Sequence, residues 1–139
     1  MSFREKSAWV MAALMALAGL YYLSLVVGAS RQLGATAPPV GIFIVFVVIV
    51  VAGSVAAQIL LAVSAPKEAS APADEREGPL LQRAGNWSGL VLGAGAVTSL
   101  LQYLQHANGN LLFHMVMGSL IVSQIAEYVF QIALLRRSA

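Results

Sequence analysis

Glu127 stands inside an apolar run from about Leu111 to Leu135, and the run holds no other charge. It lies about eight residues before the end of that run, hence roughly 12 Å deep if the run is helical. A carboxyl at such depth in a bilayer costs a few kcal/mol unless it is neutral, paired or hydrated. At about 100° per residue, Ser123, Gln124, Glu127 and Gln131 share one side of that helix. Gln58 belongs at a similar depth on another apolar run, so the five residues form a candidate intramembrane polar cluster. Such a cluster can carry a proton or contact a substrate through its carboxyl. It can equally fix helix packing through hydrogen bonds from neutral amides.

Little else in the chain offers chemistry. His106 and His114 sit eight residues apart, with no cysteine in the chain and no third ligand beside them, so no metal or cofactor is expected. There is no nucleophile beside a base, no carboxylate pair and no thiol. Gly93-Ala94-Gly95 is not a phosphate cradle, since no strand precedes it and no lysine follows it. A non-enzymatic protein is the expectation.

The elements that must position these residues follow from composition. The chain is 59% apolar and 10% charged, with a mean hydropathy of +0.80; a soluble chain carries roughly 25% charged residues. Disorder and a disulfide scaffold are excluded, and a net charge of +2 is too small for nucleic-acid binding. A bilayer core needs about 20 apolar residues of helix. Four runs meet that length, about 8–28, 40–63, 87–105 and 111–135, and predict an all-α membrane protein with four transmembrane helices. The first run is too long for the apolar region of a cleaved signal and reads as a retained span.

Orientation follows from lysine and arginine. Arg4, Lys6, Lys67, Arg76, Arg83, Arg136 and Arg137 fall on one side of the predicted membrane and only Arg31 on the other. The positive-inside rule then gives two in-out-in hairpins with both termini cytoplasmic. The cytoplasmic connection, 64–84, holds Pro66, Pro72 and Pro79 and the charged motif Asp74, Glu75, Arg76, Glu77. Asp74 and Glu77 have capping-box spacing, so a short surface helix is expected there, stopped or kinked at Gly78-Pro79. The Ala107–Asn110 turn suits a tight helix hairpin. Each half of the chain opens with a basic residue before a tryptophan and closes with Gln-Ile. That is the pattern of a parallel repeat, or of interfacial residues placed alike.

Gly85, Gly89 and Gly93 recur every four residues and predict close helix packing, within the chain or against a second copy. Trp9, Tyr21, Tyr22, Trp87, Tyr103 and Tyr128 fall mostly toward span ends, as an aromatic belt does.

Three stretches carry a resemblance: 2–9 (SFREKSAW), 65–77 (APKEASAPADERE), and Ala126-Glu127 with Gln131-Ile132 and Arg136-Arg137. Together they resemble an uncharacterised family of small four-span inner-membrane proteins of Gram-negative bacteria. The likeness implies a multi-pass protein of the bacterial inner membrane and assigns no activity. The expected function is a small accessory or regulatory component acting through helix packing and its cytoplasmic loop. Its partners would be the lipid bilayer and a second copy or another membrane protein. The alternative is a small proton-coupled transporter working as a homodimer, with Glu127 as the coupling carboxyl.

Overall fold

The structure is a computed structural model that describes residues 3–67 and 75–138. It is all-helical among the described residues. The helices are α1 (Phe3–Leu33), α2 (Pro39–Ser64), α3 (Glu77–His106) and α4 (Gly109–Ser138). Each is long and apolar enough to cross a membrane, the pattern of a multi-pass membrane protein.

The connections are set by local chemistry. Gly34 ends α1 with φ +67° and donates its N–H to Ser30 O at 3.0 Å, and Pro39 then opens α2, where its missing N–H has no helical partner to lose. Ala107 ends α3 in the left-handed region, its N–H on Tyr103 O at 2.7 Å. Asn108 then accepts the Leu111 N–H at 3.1 Å as a helix cap and donates from Nδ2 to Thr36 Oγ1 at 2.9 Å. The two connections are thereby tied to each other at one end of the bundle.

The third helix departs from expectation. It starts at Glu77, ten residues before Trp87, and runs unbroken through Gly78-Pro79. Proline breaks a helix by removing an N–H and crowding the preceding turn, but Pro79 is the third residue of α3, where N–H groups have no intrahelical partner. The polar connection is shorter by that first stretch. Asp74, and with it the capping-box reading, lies outside the described residues.

Packing is centred on α4, which lies against α3 on one side and α1 on the other, while α2 rests mainly on α1. The core is Met15, Ala18 and Tyr22 from α1, Phe46 from α2, and Met117 and Ile121 from α4. Phe46 is the one buried residue of α2, which is apolar around its circumference as a lipid-facing helix is. Side chains of neighbouring helices press onto three glycines. A methyl on Gly19 would stand 2.8 Å from Ile121, one on Gly53 2.9 Å from Leu14, and one on Gly95 would overlap Ser119.

Within the chain, the stripe of Gly85, Gly89 and Gly93 meets a neighbour only at its first member. Gly85 faces Glu127, but Gly89 and Gly93 look onto open space. The buried line of α3 is Ala84, Ser88 and Ser99, with Gly95 packed between them. The reason is geometric: steps of four residues turn about 400°, so each moves about 40° further round and the line winds off the neighbour. Alternating steps of four and seven hold the α4-facing line nearly straight.

Candidate functional site

The five polar residues singled out from sequence are not gathered in one place. Ser123 is buried, one turn from Ser119 and one turn from Glu127 on the α3 side of α4. Glu127 and Gln131 are half-buried, and Gln124 is exposed. About 100° per residue accounts for the split: relative to Glu127, Ser123 is rotated about 40° toward α3, and Gln124 and Gln131 about 60° and 40° the other way.

Those two positions lie in a cleft. Its floor is α4, along Leu120, Gln124, Glu127 and Gln131, with Leu120 itself 40% exposed. One flank is α3, where Gly85 has no side chain and the place of its absent Cβ is 3.8 Å from Glu127 Oε1. The other flank is α2, which reaches α4 at the connection end through the Phe43–Phe113 ring contact, centroids 5.6 Å apart. At the terminal end all four helices converge on a pocket of about 200 Å³ lined by Phe3, Arg4, Ser7, Gln58, Leu81 and Gln131. Gln58 and Gln131 therefore line one pocket, where Gln58 Nε2 donates to Ser7 Oγ at 3.1 Å. Glu127 lies one turn deeper. Among the described residues its carboxyl has no hydrogen-bonding or ion-pair partner.

Ion pairs tie the helices together at this terminal end. Arg4 meets Glu77 at 3.6 Å and joins α1 to the start of α3. Arg136 donates from Nε to Glu5 Oε1 at 2.8 Å and stands over the Trp9 ring, 5.5 Å from its centroid. Glu5 lies in the turn before the uncharged run begins at Ala8. The hydrogen bond and charge of Arg136 hold its carboxyl below the ordinary value of 4.5. Of the charged motif, Glu77 is thus built into the bundle, while Glu75 and Arg76 lie in an exposed turn.

A second polar site was not foreseen. His114 and Tyr22 are buried, and the ring of His114 bridges two helices and a connection. Its Nε2 is 2.7 Å from Ala37 O, and its Nδ1 is 2.7 Å from Tyr22 Oη. A carbonyl only accepts, so Nε2 carries the proton and Nδ1 accepts from the Tyr22 hydroxyl. Tyr22 is therefore a core residue rather than part of an interfacial belt. It also lines a cavity of about 430 Å³ between α1 and α4, walled by Gly19, Val26, Gly118, Ile121 and Ile125. Gly118 is about 180° round α4 from Glu127, which puts this apolar cavity on the opposite face from the cleft. His106 is exposed, and among the described residues no group of three or more metal-binding side chains is assembled.

No protein-family model, curated protein or solved structure matches the chain.

Proposed function

We propose that this protein is a small, non-enzymatic accessory or regulatory component of the bacterial inner membrane, acting through helix packing and its cytoplasmic connection. Both termini and residues 64–84 are cytoplasmic in this reading, on the balance of seven lysines and arginines to one. The inner-membrane assignment rests on the family resemblance. The observation that carries the function is the partly uncovered stripe of α4: Gln124 is exposed, and the half-buried Glu127 has no hydrogen-bond or ion-pair partner among the described residues. A polar stripe in a spanning helix is the usual means of holding a neighbouring helix. The neighbour is another membrane protein or a second copy. Purification from native membranes in a mild detergent, with the bound proteins identified, tests this; isolation as a single unaccompanied chain would sink it.

The same carboxyl favours a second reading, a proton-coupled transporter working as a homodimer. An intramembrane acid that a solute can reach is a common coupling group. Glu127→Gln separates the two, because loss of the ionisable group abolishes transport, whereas the near-isostere preserves packing.

A further inference from the structure

We propose that the cleft between α2 and α3 receives a transmembrane helix presenting one lysine or arginine to Glu127. This rests on the accessory reading and names the chemistry of its partner. Charge is the first argument. Every lysine and arginine of the chain lies outside the four apolar runs, and two of those nearest the terminal end, Arg4 and Arg136, are already held by Glu77 and Glu5. Among the described residues no lysine or arginine of the chain pairs with the Glu127 carboxyl. A wholly apolar helix laid over it would bury an unpaired acid, which is strongly unfavourable, whereas a cation arriving with the helix turns that cost into a paired contact.

Shape is the second. The stripe from Leu120 to Gln131, exposed at Leu120 and Gln124 and half-buried at Glu127 and Gln131, runs about 16 Å along α4, the length of three helical turns rather than of a compact solute. Its α3 flank is bare at Gly85, and one turn on Gly89 looks onto open space, so an incoming backbone can come close. The exposed Gln124 amide, one turn from Glu127, offers the partner a donor and an acceptor. A cation about two turns in from the Arg-rich end meets Glu127 at its own depth.

The test uses the full chain in lipid vesicles and synthetic helices of about 20 leucines and alanines, one with a single lysine about two turns from the matching end. Energy transfer between labelled chain and peptide reads binding. The lysine peptide should bind about tenfold more tightly than its all-apolar twin, a difference of about 1.4 kcal/mol. Glu127→Gln should erase that preference, and Gly89→Leu should weaken both peptides while leaving the melting temperature unchanged. Equal binding of the two peptides, or a preference that survives Glu127→Gln, overturns the inference. So does binding of tetraphenylphosphonium, a lipophilic cation, without binding of the lysine helix. Equal binding would leave the accessory reading standing, because that reading is decided by what co-purifies from native membranes.

Discussion

Removing one hydroxyl from Tyr22 isolates the buried histidine bridge from everything around it. In Tyr22→Phe the ring stays, and with it the edge-on contact to Phe46, whose centroid is 5.3 Å away. The loss is the O–H that His114 Nδ1 accepts at 2.7 Å. His114 cannot compensate by changing tautomer, because Nε2 must keep its proton for Ala37 O. Nδ1 is then a buried acceptor with no donor, and such a group costs about 1–3 kcal/mol. Hydrogen bonds between membrane helices measured by double-mutant cycles average about 0.6 kcal/mol and reach about 1.7. Together these place the loss at about 1–2 kcal/mol. Unfolding in a mild detergent, followed by circular dichroism, reads it, with Tyr21→Phe as the control because Tyr21 is 46% exposed. Combining Tyr22→Phe with His114→Phe should cost less than the two singles added. If Tyr22→Phe is no more destabilised than Tyr21→Phe, the bridge is not the contact that holds the core to the connection.

Four further outcomes are expected. Single cysteines at positions 70 and 108 should react differently with an impermeant thiol reagent on intact cells; labelling at 70 but not at 108 would reverse the proposed orientation. Gly95→Ala should lose about 1–3 kcal/mol by overpacking against Ser119, while Gly89→Ala, facing open space, should change stability little in the same melt. Because Arg136 favours ionised Glu5, the folded chain binds that proton less readily than the unfolded one, so the contribution is present above about pH 4.5 and fades as pH falls through the lowered folded value. Melting curves from about pH 6 down to about pH 3 should therefore be flatter for Glu5→Gln than for the parent chain. Both amide atoms of Gln102 are buried without a protein partner among the described residues, so Gln102→Leu should raise stability by about 1 kcal/mol, and a fall would mean that the amide is bonded.

The four spans could be read from composition because a bilayer demands a fixed apolar length, and 8–28, 40–63, 87–105 and 111–135 all lie inside the observed helices. Their ends could not, since helices continue past the apolar stretch wherever the first and last turns tolerate polar residues. Glu77-Gly78-Pro79 extends α3 for that reason. Periodicity put Ser123, Gln124, Glu127 and Gln131 on one side of α4, but a side about 100° wide can straddle a packed seam and an open cleft. Only the position of α3 separates buried Ser123 from exposed Gln124. Tyr22 and His114 are 92 residues apart and carry no local signature of their contact. The glycine line meets α4 only at Gly85, because a four-residue step winds round the helix.

Glu5 and Arg136 are 131 residues apart, and they join the first helix to the last. During synthesis α1 and α2 are made well before α4, so α1 waits with its Gly19 face uncovered and Glu5 waits for Arg136. Once α3 and α4 follow as a pair through their two-residue turn, the final residues of α4 complete the assembly. Without Arg136 the first helix and the last lack this latch.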